Sequence, residues 1–262
     1  MFAKKSLGQH FLMHPRIAER IAAAAHLTKK DTVLEIGPGT GILTEPLLAR
    51  AKKVIAVETD AELAKKLHEK FAKEIAGGTL TLLTQDIQTF NPLCINEPYT
   101  LVANIPYFLT GKIIRMFLET AHPPRALTLL VQKEVAARIA REKKESLLSL
   151  SVKAYGVPKY LFTVPRGAFI PAPSVDSAVL QVASIRNPFA DDEEKHQFFS
   201  LLHAGFAHKR KRLAKNLEEL LKKEVVLDAL AGAGIDSGAR SEEVALDAWM
   251  RLAAHTKTLR LY

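Results

Sequence analysis

Apolar positions along the chain follow two spacings in turn. Short runs with a β-branched bias recur at 32–36, 53–58, 80–86, 99–107 and 126–131, and runs of this length predict buried strands. Between them the spacing becomes helical. Residues 42–50 follow the first run, Leu63, Leu67 and Phe71 form a stripe within 60–73, and Ile113, Ile114, Phe117 and Leu118 mark the inner face of 110–120. A further helix is predicted upstream, opened by Pro15 and continued through Ile17, Ile21 and Ala25, and a charged one at 132–144. Strands alternating with helices predict an open α/β fold with a doubly wound, mostly parallel sheet. Residues 160–164 and 177–182 read as two closing strands, plausible as a hairpin, with the amphipathic or buried segment 146–152 before them. Asn187-Pro188 and the acidic run at 191–194 mark a composition shift, so the expected domains are 1–186 and 187–262. The second is read as helical, at 193–206, 209–223, 225–231 and 242–254.

Candidate chemistry lies at the ends of the predicted strands. Gly37, Gly39 and Gly41 break the first strand before a helix starts, and glycines there permit φ > 0 and close approach of backbone to a ligand. The spacing is G-x-G-x-G, with the third glycine one residue early for the dinucleotide fingerprint, which suits a nucleoside without phosphates. Glu58 ends the next strand, where a carboxylate can accept from both ribose hydroxyls and would repel a 2′-phosphate. A glycine turn and a strand-end acid are each ordinary alone; together Glu35, Gly37, Gly39, Gly41 and Glu58 resemble the S-adenosylmethionine site of class I (Rossmann-like) methyltransferases. Asp86 ends the third strand as either an N-cap or an acceptor for an adenine amine, with Ile87 against the ring face.

The fourth strand ends in Asn104-Ile105-Pro106-Tyr107-Phe108. Adenine N6 is a poor nucleophile because its lone pair is delocalised into the ring. The Asn104 amide oxygen and a backbone carbonyl beside Pro106 can accept both N6 hydrogens and turn that lone pair towards a methyl donor; proline fixes the turn that aims them. Tyr107 or Phe108 can stack on the base once it leaves its own stack. The proline-stiffened stretch from Phe169 through Pro171 and Pro173 to Asp176 and Ser177 is either a rigid connection or a wall of the base pocket.

Composition narrows the partner. With 37 Lys+Arg against 28 Asp+Glu in 262 residues, the net charge of +9 favours a polyanion. Basic residues concentrate at Lys209, Arg210, Lys211 and Arg212, expected at the start of a helix as either a solvated face or a set of phosphate contacts. The single Cys94 excludes an internal disulfide framework, and the nine histidines lack paired-ligand spacing, so no metal is expected. No apolar run approaches a spanning helix, and no signal-peptide core follows the charged N-terminus, so a cytoplasmic protein without a membrane partner is expected.

Gly8-Gln9-His10-Phe11-Leu12, Glu35 to Gly41, Glu58, Gln85-Asp86, Asn104 to Tyr107 and Phe169-x-Pro171-x-Pro173-x-Val175-Asp176-Ser177 occur in the order seen in bacterial small-subunit ribosomal RNA adenine dimethyltransferases. The resemblance continues through Phe206 to Leu213, Gly234-Ile235-Asp236 and Arg240-Ser241-Glu242. It implies S-adenosylmethionine-dependent dimethylation at N6 of two adjacent adenines in the 3′-terminal hairpin loop of small-subunit RNA, with a role in subunit biogenesis. It implies a cofactor site of His10, Leu12, Gly37, Gly39, Gly41, Glu58, Asp86, Ile87 and Asn104, and catalysis by Asn104, Ile105, Pro106 and Tyr107. Phe108 and Phe169 are then expected at the target base, and residues 209–212 on RNA. The implied partner is small-subunit RNA or an immature subunit, met by a monomer. Residues 143–149 lack the Tyr-Gly frequent in the family. A large-subunit adenine dimethyltransferase is the nearest rival, and 209–213 with Arg240-Ser241-Glu242 favours the small subunit. A non-catalytic assembly factor has no need of Asn104 to Tyr107, and a nicotinamide dehydrogenase has different glycine spacing.

Overall fold

A strand covered on both faces is buried along its whole length, and the centre of the sheet has one. The computed structural model describes residues 8–256; Lys4, Lys5 and the rest of the charged start, and residues 257–262, lie outside them. A two-residue strand β1 (Phe11–Leu12) and helix α1 (Pro15–Ala24) lead into β2 (Thr32–Ile36), buried at all five positions. The chain then alternates through α2 (Thr44–Arg50), β3 (Lys53–Glu58), α3 (Ala61–Lys70), α4 (Ala72–Ala76), β4 (Leu80–Thr84), β5 (Tyr99–Asn104), α5 (Thr110–Leu118), β6 (Leu127–Gln132) and α6 (Lys133–Ala140).

The seven-stranded sheet has the order β4-β3-β2-β5-β6-β9-β7, with β7 (Val157–Val164) and β9 (Ser177–Ala183) closing it. The first five strands are parallel; β9 runs antiparallel to β6 and to β7. The sheet is therefore mostly parallel, with a hairpin at one edge as the sequence predicts. Chain direction reverses across the sheet between β2 and β5, and a crevice opens at such a switch point beyond the C-terminal strand ends. The loop between β7 and β9 contributes β8 (Phe169–Ile170), which pairs with β1, bringing the segment after Gly8 and the proline-rich loop together.

Two expected helices differ in the structure. The single helix over 60–73 is broken at Phe71, whose backbone leaves helical geometry as its ring packs beside Gly41. The helix over 209–223 contracts to α9 (Leu213–Leu217), so the basic cluster lies in the turn before it.

Contacts divide the chain into one unit of 1–140 with 156–186 and a second of 141–155 with 187–262. The expectation of an uninterrupted first domain is thus corrected at 141–155. That segment carries α7 (Leu147–Tyr155), and Tyr155 stacks on Phe199 at 6.3 Å and meets Phe189 edge-on at 5.8 Å, inside the aromatic core of the helical unit. Amphipathic spacing alone could not show which core the segment joins. The helical unit continues with α8 (Asp192–Gly205), α10 (Lys223–Gly232) and α11 (Leu246–Thr256), around the fully buried Trp249.

A Cβ added at Gly205 would lie 2.4 Å from Trp249 Cη2 and 3.0 Å from Leu213 Cδ1. Since Trp249 has no free space to retreat into, Gly205→Ala is expected to destabilise the helical unit by about 1–3 kcal/mol. Urea unfolding followed by the fluorescence of Trp249 measures this, and an unchanged midpoint would contradict the packing.

Candidate active site

At the end of β2 the backbone turns through φ +65° at Gly37, +58° at Gly39 and +77° at Gly41. Side chains rarely adopt these angles, so the turn requires glycine. Gly37 N–H donates to the Val57 carbonyl at 2.9 Å, which keeps the turn on the sheet. The role of Gly41 differs from that expected: it does not line the cavity above the turn, and its missing Cβ makes room for the Phe71 ring, 2.5 Å from where that Cβ would be.

The cavity encloses about 990 Å³ including its open mouth. Its lining includes Gly37 to Thr40, Glu58, Asp86 and Ile87. Asn104 to Tyr107 and the segment from Gly8 to Leu12 line it as well. Eleven residues expected at the site, His10, Leu12, Gly37, Gly39, Glu58, Asp86, Ile87 and Asn104 to Tyr107, are therefore brought together. Three others in the same unit are not part of that lining: Gly41, Phe108 and Phe169.

Glu58 straps the turn as well as facing the cavity. Its Oε2 accepts from Gly39 N–H at 3.1 Å and its Oε1 from Asp60 N–H at 2.9 Å. Burial pushes its carboxyl up from the ordinary range, opposed by these backbone donors. A carboxylate has about four lone-pair sites, so the strap leaves acceptor capacity for a ribose hydroxyl. Asp86 is an N-cap, its Oδ1 accepting from Gln88 N–H at 2.8 Å, and it also lines the cavity.

Asn104 is oriented by its own donor. Its Nδ2 donates to the His10 carbonyl at 3.2 Å, and a carbonyl accepts only from the NH₂ side of an amide, so Oδ1 is left as an acceptor. His10 Nδ1 donates to the Pro171 carbonyl at 2.7 Å, tying the Gly8 to Leu12 segment to the proline-rich loop. Phe169 is corrected: it is 3% exposed, pairs with Leu12 across β1 and β8, and belongs to the hydrophobic core, so it is no surface for a base. The exposed aromatic is Phe108, at 69%. Two contacts went unread in the sequence. Asp60 caps α3 and accepts from Gln9 Nε2 at 3.3 Å, and Ser177 meets Tyr107. The cap was legible as Asp60 before the apolar stripe of 60–73; the Ser177 contact spans 70 residues and leaves no local signal.

Glu35 lies away from the cavity, fully buried in β2, and neither carboxyl oxygen has a hydrogen-bond partner among the described residues. Burial pushes it up to about 8, with Thr44 opposing the shift and the Glu58 charge adding to it.

A family model described as Ribosomal RNA adenine dimethylase matches residues 2–257. The ribosomal RNA small subunit methyltransferase A of Dehalococcoides mccartyi is 43% identical over 256 residues, 95% of this chain and 87% of that protein. Its namesake from Lactococcus lactis is 37% identical over 263 residues, 95% of this chain and 88% of that protein. Among solved structures, a dimethyladenosine transferase from Plasmodium falciparum aligns with TM-score 0.83 and 26% identity, covering 97% of this chain and all of that one. The 23S rRNA methyltransferase ErmE aligns with TM-score 0.76 and 29% identity, over 94% and 98%. The fold is that of the class I methyltransferases. No described helix is long and apolar enough to cross a membrane.

Glu35 makes stability depend on pH. Between its ordinary 4.5 and about 8 it stays protonated in the fold and ionises in the unfolded chain, so the unfolded state binds fewer protons. Stability therefore falls as pH rises through that window, by up to about 1.4 kcal/mol per pH unit from this group. Glu35→Gln, which cannot ionise, should flatten that slope by about one proton and be more stable than the parent near the upper end. Denaturant unfolding at several pH values measures it; an unaltered slope would remove Glu35 as its source.

Proposed function

The chain belongs to the ribosomal RNA adenine dimethylase family, and on that premise we propose that it dimethylates N6 of two adjacent adenines in the 3′-terminal hairpin loop of small-subunit ribosomal RNA. The enzyme is an rRNA adenine dimethyltransferase, and the family uses S-adenosylmethionine. The observation that carries the reading is the Asn104 amide, whose donor is taken by His10 and whose acceptor is left for an incoming amine.

The residues present fit the cofactor. The glycine turn admits a nucleoside against its backbone, Glu58 retains acceptor capacity for ribose, and Asp86 and Ile87 offer an acceptor and an apolar flank for adenine. S-adenosylmethionine supplies an electrophilic methyl group on a sulfonium, a good leaving group. The chain's part is to hold the amine: Asn104 Oδ1 and the Ile105 carbonyl beside Pro106 accept its hydrogens, drawing N6 towards tetrahedral. Tyr107 and the exposed Phe108 are the aromatic surfaces near this turn for a base that has left its stack. A fixed encounter away from bulk water lowers the barrier by roughly 7–11 kcal/mol, with no dedicated general base required. N6 sheds its proton after transfer, and release and rebinding of the monomethyl product would permit the second round.

Affinity for RNA is assigned to the helical unit. His208 and Lys211 face Glu219 at 3.1 and 3.8 Å, and Lys215 faces Glu218 at 2.5 Å. Lys209, Arg210 and Arg212 carry no ion pair among the described residues and remain for phosphates. We read the protein as a cytoplasmic monomer acting on small-subunit RNA or an immature subunit.

Labelled S-adenosylmethionine presented to unmodified small and large subunits, with mapping of the labelled nucleotide, tests the substrate. Paired N6-dimethyladenines in the small-subunit 3′ hairpin are expected; label in large-subunit RNA would overturn the choice. Asn104→Ala should lower transfer by about 100-fold or more with RNA affinity retained, since an acceptor aimed at the reacting amine acts in the transition state. Unchanged transfer would refute the mechanism. Replacing Lys209, Arg210 and Arg212 with Gln should flatten the salt dependence of RNA binding by about two to three logarithmic units per decade of salt, and an unchanged slope would return them to solvent.

A further inference from the structure

The tyrosine after the Asn104 turn is held at two points. Its hydroxyl lies 2.7 Å from Ser177 Oγ, and its ring stacks on His10, with centroids 5.8 Å apart and planes inclined by 22°. Both supports are themselves anchored. Ser177 is fully buried at the start of β9, with its backbone in register with Gln132 on β6 and Val164 on β7. His10 is held by the Pro171 carbonyl through Nδ1. Tyr107 itself is only half-buried, and the next residue, Phe108, is largely exposed. A half-exposed ring at a cavity mouth would sample several rotamers without such supports.

We propose that Ser177 is a positioning residue for methyl transfer, acting through Tyr107: its hydroxyl pins the phenol to the sheet so that the aromatic wall beside Asn104 is formed before RNA arrives. The proposal rests on the adenine-methylation reading above. Burial keeps the Tyr107 phenol protonated, so either hydroxyl of the pair can donate to the other. With one face against His10, the ring offers its opposite face to a base. Fixing the ring in advance removes an ordering cost from RNA binding and holds the base where the Asn104 and Ile105 acceptors can reach its amine. Ser177 touches neither base nor cofactor, so its effect must disappear when Tyr107 has no hydroxyl to hold.

Ser177→Ala, Tyr107→Phe and the double variant test this coupling. Steady-state transfer to unmodified small-subunit RNA, cofactor affinity by calorimetry and melting temperature are measured for each. Either single change should lower kcat/KM for RNA about 3- to 10-fold, the size of one lost hydrogen bond. The double variant should fall no further, and cofactor affinity should hold. Losses that multiply in the double variant, or a Ser177→Ala that lowers only the melting temperature, would overturn the proposal. A readout independent of activity is the NMR spectrum of ring-labelled tyrosine without RNA, with Tyr107 assigned through Tyr107→Phe. Ser177→Ala should shift and average that signal, and an unchanged signal overturns the clamp. A parent enzyme that methylates neither subunit would refute the functional reading, while the spectrum would still decide whether Ser177 holds the ring.

Discussion

The hydrogen bond from Asn104 Nδ2 to the His10 carbonyl is the constraint on which the site depends. An amide side chain has one donor side and one acceptor side, and a free asparagine at a strand end could present either. A main-chain carbonyl removes the choice, because it can only accept. The same bond ties the Gly8 to Leu12 segment to the Asn104 turn, so placing that segment at the cavity and fixing the acceptor side of the amide are one event. The β1–β8 pairing and the His10 bond to Pro171 then tie that segment to the loop leading to Ser177. The orientation of Asn104 thus rests on pieces of chain 94 and 161 residues apart, each bond pairing a side-chain donor with a backbone acceptor.

Another part of the cavity lining is built at an electrostatic cost. Glu58 is largely withdrawn from water, and its charge is supported by Gly39 and Asp60 amides rather than by a cation. Backbone donors suit this task, since they support the carboxylate without adding a net positive charge to the cavity. Glu35 lacks such donors and sits protonated beneath the turn. Keeping it neutral prevents a second charge from opposing the ionisation of Glu58, whose pKa the Glu35 charge would raise further.

Local patterns made the fold legible: apolar runs marked five parallel strands, glycines marked the turn, and strand-end acids marked the crevice side. That Asn104 to Tyr107 line the cavity together was legible because they are adjacent in the chain at a strand end. Phe169 was misread because alternation along a two-residue strand cannot say which neighbour faces inward until its partner is known, and that partner is Leu12, far upstream. Gly41 was read as a ligand contact although its partner is Phe71 on another helix. The membership of 141–155 depended likewise on Phe189 and Phe199, beyond the intervening strands. What escaped the sequence in each case was a long-range pairing.

Choice of RNA follows a different logic from the chemistry. N6 of adenine is the same group in every RNA, so nothing in the Asn104 turn can select one ribosomal subunit over another. Folded RNA is distinguished mostly by shape and by where its phosphates lie. Phosphate contacts fix register without reading bases, so a selector of this kind must hold its cations in a defined geometry. The backbone leading into the turn at 209–212 is anchored: buried Asn216 donates from Nδ2 to the Gly205 carbonyl at 2.5 Å and to the His208 carbonyl at 3.2 Å, and Ser241 donates to the same Gly205 oxygen. The basic turn is thereby braced at its start from α9 and from the segment before α11. A run of lysine and arginine read from sequence is only charge, and the bracing from Asn216 and Ser241 makes it a shape.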